Sequence, residues 1–228
     1  MKDASRYVFT CLILFAAAAY ADTEILVRNG IPVVGLQQSD YANMWWQWAV
    51  SMPATQSPVR DRVGDKCGVN QVGPVWFLAG GYGSSHIKRT CTIPSDKYVF
   101  FPIINMIYYP REGRRAPSCQ SVKAGAALNN QYLRSFKIII DKQQYLNPAL
   151  YRQASKKCFD LIARKPNITE SQHVYPSATD GYWIMLKPLS VGRHHIAFRA
   201  EYDRPRGSRG NFGKMVQDIE YDIKVNEP

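Results

Sequence analysis

The chain has 228 residues, of which 46% are hydrophobic, 21% charged and 12% aromatic, and its formal charge is +11. That length suits one large domain or two small ones and is enough to bury a substantial core. The balance excludes a disordered tail, a coiled coil, a repeat solenoid and a polytopic membrane protein, and it names no reaction.

Residues 1–21 read as a signal peptide. Lys2 and Arg6 form a positive start, Val8 to Ala19 an apolar run too short to span a bilayer, and Ala19-Tyr20-Ala21 a small-x-small cleavage site. Cys11 precedes most of the apolar run, so it does not read as a lipoprotein cysteine. Removing 21 of the 228 residues leaves 207, and losing Lys2, Arg6 and Asp3 leaves a charge of +10. No later stretch is long and apolar enough to span a membrane, so a secreted or periplasmic protein is expected. Residues 22–228 read as a single β-rich domain, with no internal repeat and no clear linker.

Cys67, Cys91, Cys119 and Cys158 remain after cleavage. An even number in an oxidising compartment suggests two disulfides, and four cysteines allow three pairings. Cys67–Cys91 and Cys119–Cys158 are favoured, because each clips a local excursion. A zinc site is the competing reading; it lacks any CxxC spacing, and no metal is expected.

Ser39 or Asp40 can cap a helix whose apolar positions Tyr41, Met44, Trp45, Trp48, Ala49 and Met52 follow helical spacing up to Pro53. Trp45 and Trp48 read as core. Trp46 lies off that face and needs another partner, either a loop or a ligand. Residues 74–79 read as a buried strand ending at Gly80-Gly81. The following glycines lack the Gly-Lys-Ser/Thr ending of a phosphate loop, and they read as a turn. Tyr98 to Ile104 reads as a strand in which Pro102 implies an edge or a bulge. Residues 105–120 look irregular. A second helix is expected over Ser121–Ser135, a strand over Phe136–Ile140, and a short helix near Cys158. Tyr182–Lys187 reads as a strand. Ile196, Phe198, Ala200 and Tyr202, and then Ile219, Tyr221, Ile223 and Val225, alternate with polar residues. Period two implies two strands with one wet face, joined as a hairpin across Arg204–Lys214. The expected fold is mainly β: an antiparallel sandwich, immunoglobulin-like or jelly-roll-like, with one or two short helices.

The blocks WWQW (45–48), DKCGVNQVGPVWFLAG (65–80), RTCTIP (89–94), FFPIIN (100–105), FKIIID (136–141), DGYWIMLKPL (180–189), GRHHIAFRAEY (192–202) and IEYDIKV (219–225) occur in that order. Together they resemble a family of exported bacterial proteins without an assigned activity. The resemblance covers most of the chain after residue 21 and implies export and a β-rich fold. It carries no catalytic residue across. The chain departs from the pattern at Asp141-Lys142, where Asp-Gly is expected.

Chemistry is sparse. His194 and His195 point to opposite faces of one strand and make a poor chelating pair. His194 falls in phase with the apolar side and His195 with the polar side. No GxSxG, HExxH or catalytic-cysteine context appears, and no cofactor is implied. A glycosidase would need two carboxylates about 5 to 9.5 Å apart. Asp65 and Asp180, in loop-like contexts, are the candidate catalytic acids. Asp218, Glu220 and Asp222 share a strand face and read as partners of His195 and Arg199.

Basic residues give the stronger hint. Arg204, Arg206, Arg209 and Lys214 share a loop without acids; with Trp46 they are the candidate ligand-binding residues. Arg152, Lys156, Lys157, Arg164 and Lys165 form a second cluster, and Arg111, Arg114 and Arg115 a third. Export makes chromosomal nucleic acid an unsuitable partner. The leading expectation is a binding module for an anionic glycan or lipid head group. The alternatives are a secreted polysaccharide hydrolase and an effector or inhibitor that binds an extracytoplasmic protein. Asn167-Ile-Thr169 also matches a glycosylation sequon.

Overall fold

The computed structural model describes residues 24–169, 172–205 and 214–228. The signal peptide expected over 1–21 lies outside them, as do Arg206 and Arg209. In chain order the described elements are α1 (Gln38–Val50), β1 (Val75–Phe77), β2 (Ser85–Pro94), β3 (Tyr98–Tyr108), α2 (Cys119–Ala127), β4 (Leu133–Ile140), β5 (Gln143–Tyr145), β6 (Arg152–Ala154), β7 (Ala178–Leu186), β8 (Gly192–Asp203) and β9 (Lys214–Asn226). They form two sheets, with strand orders β1-β3-β7-β6 and β2-β9-β8-β4-β5. This is the expected mainly β sandwich.

Two pairings, β1 with β3 and β2 with β9, are parallel, so the sheets are mixed and not wholly antiparallel. A parallel pair needs a crossover connection. Here β2 is the crossover: the chain leaves β1, runs through the opposite sheet, and returns as β3.

The sheets meet across one apolar core. Phe101 of β3 stacks on Phe198 of β8 at 5.4 Å, among Ile103, Ile184, Ile138, Ile219 and Ile223. On the outer face of the four-stranded sheet lies α1. Trp45 meets Trp183 edge-on at 5.6 Å, and Phe100 stacks on Trp183 at 5.4 Å. Such aromatic pairs add about 1 kcal/mol each beyond their burial. Covered on both faces, β7 is buried along its whole length. Its sequence therefore does not alternate.

Helix α1 starts earlier than its apolar spacing suggests. Gln37 is the N-cap, and Asp40 accepts the Gln37 backbone N–H at 3.1 Å, so Asp40 closes a capping box. Trp45 and Trp48 are core, and each indole N–H donates to a carbonyl, of Leu78 and Val69 respectively. The second helix is shorter than expected. It ends at Ala127, and β4 begins at Leu133. The segment around Cys158 holds turns and an isolated bridge from Phe159 to Ser177 instead of a helix. Strand β2 carries no sequence signal because Arg89 occupies an inward position between Ile87 and Cys91 and interrupts the apolar alternation.

Both favoured disulfides are present, Cys67–Cys91 and Cys119–Cys158, with Cα separations of 5.8 and 5.9 Å. Pro102 lies at a β-bulge in β3, beyond the end of β1. Asp141 and Lys142 form the two-residue turn between β4 and β5 with φ of 47° and 79°, so the tight turn forms without glycine. The C-terminal hairpin pairs Gly192 with Val225 through to Asp203 with Lys214. Among the described residues no helix is long and apolar enough to cross a membrane.

Candidate functional site

A cleft of about 340 Å³ opens where α1, the end of β3, the Gly80–Gly83 turn and the start of β9 meet. That volume suits a small ligand. Trp45 and Trp46 form one wall. Pro102, Ile103, Ile104, Met106, Ile107 and Tyr108 of β3 form another, and Tyr82, Tyr109, Met215 and Arg111 complete it. Tyr82 and Tyr109 stay 44% and 45% exposed at their positions, so large aromatic surfaces remain open to a ligand.

Trp46 is positioned by a polar relay. Its indole N–H donates to the Thr179 hydroxyl at 2.9 Å, and that hydroxyl donates to the Met106 carbonyl at 2.7 Å. The missing partner is thus a threonine on β7, and the ring still lines the cleft. The bulge in β3 places Ile103 and Ile104 in succession at the cleft. Tyr108 packs over Gly125 of α2, where an added Cβ would lie 2.7 Å from the ring. Only glycine lets helix and ring approach this closely.

The glycine turn is held from behind by Arg89, a buried cation with 2% exposure. Its Nε donates to the Asp61 carbonyl at 2.8 Å. Nη1 donates to the Ala79 carbonyl and the Tyr221 hydroxyl, and Nη2 to the Val59 and Gly80 carbonyls. Val59 and Gly80 both line the cleft. One guanidinium therefore fixes two loop segments at the mouth. Gln217 of β9 secures the same turn, accepting the Gly81 N–H at 2.8 Å and donating to the Gly83 carbonyl.

Two of the basic clusters lie on segments that a disulfide links. Cys119–Cys158 ties α2 to the 156–158 segment, and Lys123 donates to the Lys156 carbonyl at 3.0 Å. Arg111, Arg114 and Arg115 are exposed on the segment leading from the cleft to that disulfide. Among the described residues no carboxylate pairs with any of the three.

The remaining candidates fall elsewhere. Arg204 is buried, with Nη1 3.4 Å from Asn129 Oδ1 and its guanidinium 5.9 Å from the Tyr132 ring, so it braces the fold. Lys214 is exposed and paired with Glu201 at 2.8 Å, which raises its pKa. Asp180 is buried and accepts two hydrogen bonds from Arg152, at 3.0 and 2.9 Å. This bond chiefly raises the Arg152 pKa. Asp65 is exposed in the turn before Cys67. Neither acid lines the aromatic cleft, and no carboxylate does among the described residues. Sequence reasoning missed Tyr82, Tyr109, Arg89 and Met215. The available signal was the aromatic pair Tyr108-Tyr109 before Pro110; Tyr108 pairs with Ala178 at the end of β3, and Tyr109 lies just beyond it.

Each of the four histidines meets an aspartate: His86 with Asp218, His173 with Asp160, His194 with Asp141 and His195 with Asp222. As expected, His194 is turned inward, with a side chain 11% exposed, and His195 outward at 43%. Asp222 also pairs with Lys88, and Arg199 with Asp218. A broader hollow of about 960 Å³ is lined by Asp141, His194, His195 and Asp222. Its acids are already engaged. Hydrogen bonds from His195 and Lys88 hold Asp222 below the usual carboxylate range, the wrong direction for a general acid. His194 Nε2 lies 2.9 Å from the Ser190 carbonyl and 3.3 Å from its hydroxyl, so it faces an acceptor and is poorly placed to take the hydroxyl proton. Among the described residues no cluster of His, Cys, Asp or Glu suits a metal ion.

No family model, curated protein or solved structure matches the chain.

Proposed function

We propose that the protein is an exported, disulfide-stapled binding module that takes an anionic envelope or extracellular ligand into the Trp46 cleft. The observation that carries this reading is an aromatic cleft with no carboxylate among its described lining residues and, in its wall, an arginine, Arg111, that no carboxylate of the described residues pairs. Apolar and aromatic walls supply contact area, and the cation supplies orientation and salt-sensitive attraction. Arg114 and Arg115 extend the positive potential beyond the mouth. Two disulfides support residence in an oxidising compartment. The hydrolase alternative finds no carboxylate pair among the described residues of the tryptophan-lined cleft.

The test is a tryptophan-fluorescence titration of the oxidised protein with dodecanoate and with a sulfated glycan, at low and high salt. Saturable binding of either ligand that weakens with salt, and that falls at least tenfold in Arg111→Glu, is expected. Binding of neither, or binding indifferent to salt and to that substitution, overturns the proposal.

A further inference from the structure

Resting on that reading, we infer that the ligand is a single-chain amphiphile, an acyl chain with an anionic head. The walls decide the class. Ile104, Ile107, Met106 and Met215 are flexible or branched aliphatic side chains that conform to a chain. A glycan would need a dense set of hydrogen-bonding partners. Of the two amides in the lining, Gln217 is already engaged by Gly81 and Gly83, which leaves Asn105 and the hydroxyls of Tyr82, Tyr108 and Tyr109, a sparse set spread along mainly apolar walls. A volume of about 340 Å³ lies at the small end for ligand pockets and favours one chain over two. Charge complementarity sets the polarity of binding: the tail lies against β3 and the head meets Arg111.

The experiment measures Kd for hexanoate, octanoate, decanoate and dodecanoate, each below its micelle concentration, with monodecanoyl glycerol as the neutral-head control and a sulfated glycan as the competing class. Each added methylene buries apolar surface, so affinity should rise about fourfold per methylene until the cleft is full and then level off. The neutral control should bind at least tenfold more weakly than decanoate. Arg111→Glu should erase that difference; Arg111 is exposed, so the fold tolerates the change. Met215→Trp, which fills the cleft, should move the plateau to shorter chains. A flat chain-length series with salt-sensitive glycan binding overturns the amphiphile and leaves the anionic-ligand reading standing. Equal binding of the neutral and anionic heads overturns the role given to Arg111. No binding by any probe overturns both readings.

Discussion

Replacing Arg89 with methionine removes five hydrogen bonds from a buried site. The partners are mostly backbone carbonyls, which no substitution can delete. The Ala79 carbonyl keeps its bond from the Tyr221 hydroxyl at 2.7 Å, but those of Asp61, Val59 and Gly80 lose the arginine donor. A buried polar group left unsatisfied costs about 1–3 kcal/mol. Three of them, partly relieved by relaxation and by the loss of a desolvated cation, give about 4 kcal/mol. For a domain of this size that corresponds to a drop in Tm of roughly 8–16 °C. Lysine has three donors, so Arg89→Lys cannot restore five bonds and should lose about half as much. Thermal unfolding with intact disulfides measures both variants. The same titration with dodecanoate should show weaker binding in Arg89→Met, because the Val59 and Gly80 segments lose their shared anchor. A Tm within about 2 °C of the parent, with ligand binding intact, would refute the view that Arg89 holds the cleft.

Lys142→Gly should stabilise the protein by about 1 kcal/mol, since Lys142 sits at φ 79° where a side chain is strained; an unchanged or lower Tm counts against this. Reducing both disulfides should remove most of the stability. Their sequence separations of 24 and 39 correspond to about 3.5 and 4 kcal/mol by loop-closure entropy, and a reduced chain with unchanged Tm contradicts this. Acid should destabilise the fold. Burial opposes ionisation of Asp61 and Asp160, yet backbone N–H groups at Asp61, and His173 with backbone N–H groups at Asp160, outweigh it. With Asp222, both therefore titrate below the ordinary value of 3.8. Their contribution is complete above that value and is lost as pH falls through the lower folded values. Tm measured from pH 6 downward should hold until about pH 4 and then fall; a Tm rising below pH 4 sinks this account.

The sequence by itself determined the β-rich class, the C-terminal hairpin, the opposed faces of His194 and His195, and the core role of Trp45 and Trp48. These are local properties: side-chain period and helical spacing express themselves within one element. Cysteine spacing also favoured the two pairs that form, because each closes a short excursion. Trp46 was legible as a tryptophan without a place on its own helix face. The tertiary structure decided what it faces. Thr179, Met106 with Arg111, Tyr82 and Met215 come from four separate stretches of chain, and no periodicity within any one of them announces a shared cleft. The same reason explains Arg89 and Arg204. In sequence Arg204 reads as surface charge and Arg89 carries no signal of a role, yet each is buried, Arg89 on loop carbonyls and Arg204 beside Asn129 and the Tyr132 ring. Whether a cation meets solvent or a ring of acceptors depends on which segments the fold brings around it, and only packing sets that.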